Sequence, residues 1–105
     1  MRELQGWKQY WKPEPGAAVT GKIVLAFWEP ELRAERFVIE NGDGDRFALP
    51  IHSDLINKLR ELRAVTAGER RDVTVRIERL KPEQDERWPR YSVQYEIAGA
   101  VENES

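Results

Sequence analysis

The sequence predicts an all-β fold, a five-stranded Greek-key barrel with one helix between its third and fourth strands. Most of the chain alternates between apolar and polar residues, in three segments that precede the helix and two that follow it. Residues 53–65 instead repeat apolar side chains at helical spacing, namely Leu55, Ile56, Leu59 and Leu62. At 105 residues, the chain is the size of one small domain with a sufficient core.

The first predicted strand covers residues 18–28. Its inner face carries Val19, Gly21, Ile23, Leu25 and Phe27, and its outer face carries Thr20, Lys22, Val24, Ala26 and Trp28. A glycine inside a strand often marks a bulge or a bend, which a small barrel needs in order to close. We therefore expect this strand to be distorted near Gly21.

The second and third strands form a predicted hairpin. Residues 33–40 place Phe37 and Ile39 inward, and they place Arg36, Val38 and Glu40 outward. Asn-Gly and Asp-Gly pairs in residues 41–45 tolerate the positive φ values of a tight turn. The third strand, residues 46–50, then turns Phe47 and Leu49 toward the core.

The helix and the last two strands complete the fold. Ser53 stands where an N-cap belongs, and Gly68 supplies a stop. The fourth strand, residues 71–80, turns Val73, Val75 and Ile77 inward. After a polar connection at 81–89, the fifth strand, residues 90–98, places Tyr91, Val93, Tyr95 and Ile97 on the core face. We expect a lead-in at 1–16, a barrel domain at 17–99 and a short acidic disordered tail at 100–105.

Composition excludes several classes of function. The chain contains no cysteine, which excludes a disulfide scaffold, a thiolate metal site and a cysteine nucleophile. A net charge of −2 argues against a strongly basic histone-like binder, so a nucleic-acid site would be a local patch. The N-terminal residues lack the apolar stretch of a signal peptide, and no segment has membrane-spanning length. We expect a cytoplasmic protein with no cofactor, no bound metal and no membrane partner.

Several short patterns resemble a known family. They are Pro15-Gly16-x-x-Val19-x-Gly21-x-Ile23, the hairpin into Arg46-Phe47-x-Leu49-Pro50, the helical residues 55–62, the strand at 71–77 and Tyr91-Ser92-Val93. Together these patterns resemble the OB-fold single-stranded DNA-binding proteins of bacteria, phages and mobile elements. The resemblance implies a ligand groove on the face of the second and third strands. The loops between strands one and two and between strands four and five would flank it.

Aromatic and basic residues occur near that implied groove. The candidate nucleic-acid contacts are Lys22, Trp28, Arg33, Arg36, Arg46, Lys81, Arg87, Trp88 and Arg90. Single-strand binders combine cations that track phosphates with rings on which bases stack, so Trp28 and Trp88 are the predicted stacking platforms. In the alternative, both indoles fold back as lids on the barrel ends, held by Pro30 and Pro89. The acidic run at 83–86 counts against phosphate binding nearby.

The lead-in carries a second aromatic and basic cluster, formed by Trp7, Lys8, Tyr10, Trp11 and Lys12. Three roles are open for this cluster: it extends a nucleic-acid surface, it binds a partner protein, or it packs on the barrel and fixes the N-terminus. The sequence therefore leaves two functions open. One is sequence-tolerant binding of single-stranded DNA, with RNA as the close variant. The other is a protein-interaction or oligomerisation module, with a homodimer or a protein partner and no nucleic acid.

No catalytic constellation stands out in the sequence. His52, Ser53 and Asp54 are the residue types of a triad, but adjacent residues cannot converge on one reacting atom as a triad must. Asp43-Gly44-Asp45 resembles part of a calcium loop, but the later chelating residues of such a loop are missing. The sequence predicts that the protein is not an enzyme.

Overall fold

A computed structural model describes residues 9–84 and 86–99, which form one sheet of six strands and one helix. The elements are β1 (Gln9–Tyr10), β2 (Ala18–Glu29), β3 (Ala34–Asn41), β4 (Arg46–Ala48), α1 (Ser53–Val65), β5 (Val73–Arg79) and β6 (Tyr91–Ile97). This order confirms a mostly β protein with its helix between the two predicted groups of strands. No helix of the described residues is long and apolar enough to cross a membrane.

The strands lie side by side in the order β1-β4-β3-β2-β5-β6. All neighbouring pairs are antiparallel except β1 and β4, which are parallel. The described residues therefore form an open sheet of six strands, whereas the sequence predicts a five-stranded barrel. The extra strand comes from the lead-in: β1 occupies the outer edge of β4, which is only three residues long, so that edge is not paired with β6.

A β-bulge in β2 changes which side chains face the helix. The register shifts between Ile23 and Leu25, so that Ile23 lies opposite Ile39 and Leu25 lies opposite Val38. One extra residue reverses the facing of everything that follows it. Leu25 and Phe27 are therefore not on the core face with Ile23, as alternation predicts. Trp28 lies opposite Glu35, on the side of the sheet that carries α1.

Gly21 is required by close contact with the neighbouring strand rather than by the bulge itself. A Cβ at this position would lie 2.1 Å from the carbonyl oxygen of Glu40. The predicted distortion therefore occurs two residues later than expected. The predicted hairpin turn is confirmed: Asn41 Oδ1 accepts hydrogen bonds from the Asp43 and Asp45 amides at 2.9 and 3.0 Å, and Gly44 has a φ of +86°.

The core lies between α1 and one face of the sheet. Its buried residues are Phe37, Ile39, Leu49, Leu55, Ile56, Leu59, Leu62, Val75, Ile77 and Tyr91. All ten are among the residues that the sequence predicts to face inward. Two other positions differ. Tyr95, on the outer strand β6, is 49% exposed, and Val38, predicted to face outward, is fully buried between its cross-strand neighbours Leu25 and Ala48.

The helix has the predicted bounds but a different N-cap. His52 takes the N-cap position with extended backbone angles, φ −122° and ψ 136°, and no side chain of the described residues caps the helix. Ser53 is the first helical residue instead. At the other end, the Thr66 amide donates to the carbonyl oxygen of Leu62, and Gly68 has a φ of +82°, which an L side chain rarely adopts.

Candidate functional site

Three adjoining depressions follow the lead-in, the residues before α1 and the connection between β5 and β6. The first, of about 330 Å³, lies between the lead-in and the end of β4. It shares Ile51 and His52 with a second depression of about 570 Å³. A third, of about 160 Å³, shares Trp88 with the second. We call the exposed part of this region the aromatic-basic surface, formed by Tyr10, Lys12, His52, Arg87, Trp88 and Arg90.

The aromatic-basic surface joins two clusters that are far apart in the sequence. Trp88 comes from the β5–β6 connection and is 79% exposed, the highest exposure among the large apolar side chains described. Tyr10 comes from β1 and is 48% exposed. Trp11 is partly buried and packs against the core, as the alternative for the lead-in predicts. One ring of the lead-in is therefore structural, whereas Tyr10 is half exposed and Trp88 is largely exposed.

Cations on this surface differ in their availability. Lys12 and Arg87 are exposed and make no ion pair with the residues described. Arg90 pairs with Glu86 at 2.9 Å. Arg79 donates to the carbonyl oxygen of Pro13 at 3.0 Å, which fastens the lead-in to β5. Lys12 and Arg87 are therefore the cations most available to an anionic ligand.

Lys81 adds another cation beside this region. It is exposed, makes no ion pair with the residues described, and lies near Gly16, whose added Cβ would be 3.5 Å from the Lys81 Cε. Gly16 in turn donates its amide hydrogen to the carbonyl oxygen of Arg79 at 2.7 Å. Lys81 therefore lies where the turn after the lead-in meets the end of β5.

Arg36 is buried, although the sequence predicts an outward phosphate contact. Only 8% of the residue is exposed, and its Nε donates to Glu29 at 2.7 Å. Its NH1 group donates to the carbonyl oxygen of Leu49 at 2.9 Å, and its guanidinium lies 5.0 Å from the centre of the Tyr10 ring. These contacts use the guanidinium inside the protein. Arg36 therefore supports the Tyr10 side of the aromatic-basic surface from below.

Like Lys81, four other predicted contacts line none of the three depressions. Lys22 pairs with Asp72, and Arg46 pairs with Glu40, each at 2.8 Å. Trp28 is 58% exposed but lies on the α1 side because of the bulge in β2.

The fourth, Arg33, lies in the turn between β2 and β3 with a φ of 51°. The structure therefore does not gather the nine predicted residues in one groove. It brings Arg87, Trp88 and Arg90 together with the lead-in instead.

His52, Ser53 and Asp54 do not converge. His52 Nδ1 lies 2.7 Å from the hydroxyl oxygen of Tyr91, whereas Asp54 accepts hydrogen bonds from the Tyr91 amide and from Lys58. Burial and the positive charge of Arg79 lower the pKa of His52, and burial raises the pKa of Tyr91. Burial alone would raise the pKa of Asp54, but the hydrogen bonds from Tyr91 and Lys58 hold it below its ordinary value. These groups fasten α1 to the start of β6.

The acidic run in the β5–β6 connection is partly neutralised. Glu86 accepts hydrogen bonds from the amide of Glu83 and from Arg90, and these two contacts lower the pKa of the Glu86 carboxyl. Glu86 therefore lines the third depression, but its carboxylate is paired with Arg90 and holds the loop. Asp85 lies outside the described residues, as do Trp7, Lys8 and the predicted acidic tail at 100–105.

Some residues of this region have no distinguishing sequence signal. Ile51 and Arg79 line the depressions, but each reads in the sequence as an ordinary residue at the end of a strand. Among residues 9–84 and 86–99, no group of three or more His, Cys, Asp or Glu side chains is placed to hold a metal ion.

Comparisons with protein-family models, with curated proteins and with solved structures find no significant match to this chain.

Proposed function

We propose that this protein binds single-stranded nucleic acid, with DNA as the preferred ligand and RNA as the close variant. The observation that carries the proposal is the aromatic-basic surface, where the exposed Trp88 indole and the half-exposed Tyr10 ring accompany Lys12 and Arg87, two exposed cations that make no ion pair within the part of the chain the structure describes. Stacking on such rings tolerates any base, because every base has a π-face. Binding is therefore expected to depend little on sequence.

The strand order supports an OB-like arrangement. In a Greek key, three strands are joined by hairpins and a fourth returns by a long connection to lie beside the first. Here β2, β3 and β4 follow one another, and β5 returns after α1 to pair with β2. OB-folds are partly open barrels that bind oligonucleotides on the face of their second and third strands, beside the loop between their fourth and fifth. The aromatic-basic surface includes the corresponding loop, between β5 and β6.

Five side chains of the surface, all but His52, have separate tasks in this proposal. The Trp88 indole stacks on one base, and the Tyr10 ring, supported by Arg36, stacks on another. Lys12 and Arg87 neutralise phosphates between them, with Lys81 as a further contact. Arg90 holds the connection in place through Glu86, so it acts on the ligand through the position of Trp88.

A titration with fluorescein-labelled oligo-dT of about 30 nucleotides tests the proposal, since this length covers the usual site of an OB-fold. We expect binding that weakens steeply between low and moderate salt and that duplex DNA fails to displace. Trp88→Ala removes one stacking platform and is expected to weaken binding by roughly 5-fold to 100-fold. Trp28→Ala is the matched control, because Trp28 is also an exposed indole but lies on the α1 side of the sheet.

A second pair of variants tests the phosphate contacts. Arg87→Ala is expected to lower the slope of log affinity against log salt by about one. Arg33→Ala, an exposed arginine outside the three depressions, is expected to leave the slope unchanged. No binding at low salt, or equal losses in the Trp88 and Trp28 variants, would overturn the proposal. In that first case, the protein-interaction module is the remaining alternative, and substitution of Tyr10 is the first test of it.

A further inference from the structure

The outer strand β6 has one backbone edge that pairs with no other strand among the described residues. Just beyond the two ends of the β5–β6 ladder, the Ala98 amide donates to the backbone carbonyl oxygen of Asp72. At the other end, the Leu80 amide donates to the backbone carbonyl oxygen of Arg90. Antiparallel ladders alternate, so the even-numbered residues of β6 bond to β5 and the odd-numbered residues point their amide and carbonyl groups away from it. The free edge therefore belongs to Tyr91, Val93, Tyr95 and Ile97.

Helix α1 satisfies only the first of these four positions. Asp54 accepts the Tyr91 amide hydrogen at 2.8 Å, and Lys58 donates to the Tyr91 carbonyl oxygen at 2.5 Å. These two side chains take the place of a neighbouring strand. The edge groups of Val93, Tyr95 and Ile97 have no hydrogen-bond partner in the part of the chain that the structure describes.

The devices that normally protect a sheet edge are missing from β6. Natural edge strands carry lysine or proline, contain bulges, or are very short. β6 is seven residues long, contains neither lysine nor proline, and pairs with β5 without a register shift. Its one charged residue is Glu96. Beside the strand, a depression of about 550 Å³ is lined by α1 and β6 and includes the exposed side chains of Val65 and Tyr95.

The free edge is complementary to a second copy of itself. In an antiparallel pair, residues whose edge groups bond to each other lie directly opposite. Centring the pair on Tyr95 uses all three free positions: Tyr95 faces Tyr95 of the second copy, and Val93 faces Ile97. On the other face of the sheet, Glu96 lies opposite Gln94, so no like charges meet. Apolar and aromatic cross-strand pairs of this kind stabilise sheets, whereas like charges directly opposite would destabilise them.

We infer that β6 is a homodimer interface, in which two copies join their sheets antiparallel through Val93, Tyr95 and Ile97. The two-fold register selects a second copy as the occupant, because each side chain then meets an apolar or uncharged partner from the same sequence. The inference does not rest on nucleic-acid binding. The residues that pair in this dimer are distinct from those of the aromatic-basic surface, which lies at the lead-in and the β5–β6 connection.

Sedimentation equilibrium of the wild-type protein gives the first test. At about 1 mM protein, even a dimer with a Kd of that order is half populated. We expect a concentration-dependent mass that approaches twice that of the monomer. Tyr95→Lys and Tyr95→Glu each place like charges directly opposite and are expected to raise the dimer Kd at least tenfold. An equimolar mixture of the two variants restores the dimer, which shows that both variants are folded.

Cysteine substitution tests the register. The natural chain has no cysteine, so each variant carries one thiol. Tyr95→Cys is expected to form a disulfide-linked dimer on mild oxidation, because directly opposite Cα atoms lie about 5.5 Å apart, within the range of a disulfide. Gln94→Cys is the control, since Gln94 faces Glu96 and points to the other face. A monomer at about 1 mM, a dimer unchanged by both charge substitutions, or equal cross-linking of the two cysteine variants would overturn the inference.

Discussion

Arg36→Met asks whether the buried guanidinium serves the fold or the ligand. Methionine keeps the aliphatic length of the side chain and removes its three polar contacts. The charged hydrogen bond to the Leu49 carbonyl is worth about 1.5–3 kcal/mol. The partly exposed pair with Glu29 adds less than about 1 kcal/mol. The cation–π contact with half-exposed Tyr10 adds about 0.5–1 kcal/mol.

We therefore expect Arg36→Met to lower the free energy of unfolding by about 3 kcal/mol, near the lower end for breaking a buried pair. In urea denaturation, this loss moves the midpoint down by roughly 1–3 M. Arg46→Met is the control, because its pair with Glu40 is largely exposed and is worth less than about 1 kcal/mol.

A loss for Arg36→Met no larger than that of the control would refute this reasoning. So would a drop of about one in the salt slope of oligonucleotide binding, because that drop would mean that the guanidinium neutralises a phosphate.

Two further predictions concern the sheet and the start of the helix. Gly21→Ala is expected to destabilise the protein by about 1–3 kcal/mol, because its Cβ would meet backbone atoms of Glu40 that can move only with β3. Gly42→Ala, whose Cβ would meet none of the described atoms within 4 Å, is expected to be neutral or mildly stabilising, and equal effects in urea denaturation would contradict the close approach. His52 has a pKa below its ordinary value, so the folded state disfavours its protonation and stability is expected to fall as the pH drops below about 6.5. His52→Gln should flatten the pH dependence of the melting temperature between neutral pH and about 5.5, and an unchanged slope would show that other groups carry it.

Local patterns were sufficient to predict the elements. The helix at 53–65 has its predicted bounds because Leu55, Ile56, Leu59 and Leu62 follow helical spacing, and all four are buried. The turn at 41–45 follows from Asn41 and Gly44, whose chemistry is local. Only the N-cap differs, because His52 takes the position that the sequence assigns to Ser53. Such features depend on neighbours in the chain, so the sequence carries them directly.

The candidate site was predicted only in pieces. The sequence identifies Trp88, Arg87 and Arg90 as one aromatic and basic cluster, and Tyr10, Trp11 and Lys12 as another. Their adjacency depends on the parallel pairing of β1 with β4. Because β1 is only two residues long, it shows no alternation from which the sequence could predict a strand. Trp28 and Arg36 show the same limit. A bulge two residues beyond Gly21 moves Trp28 to the α1 side of the sheet. Alternation places the Arg36 guanidinium in solvent, but its contacts with Glu29 and Leu49 bury it.

By itself, the sequence determined the mostly β class, the helix, the turn and most of the core, because each follows from periodicity or from the backbone preference of a few residues. The tertiary structure decided the rest. It set the outer position of β6 in the sheet, the face on which Trp28 lies, and the adjoining of the depressions that Tyr10 and Trp88 line. Each of these depends on the register between strands distant in the chain. A shift of one residue reverses every side chain beyond it, and nothing in the local pattern records that shift.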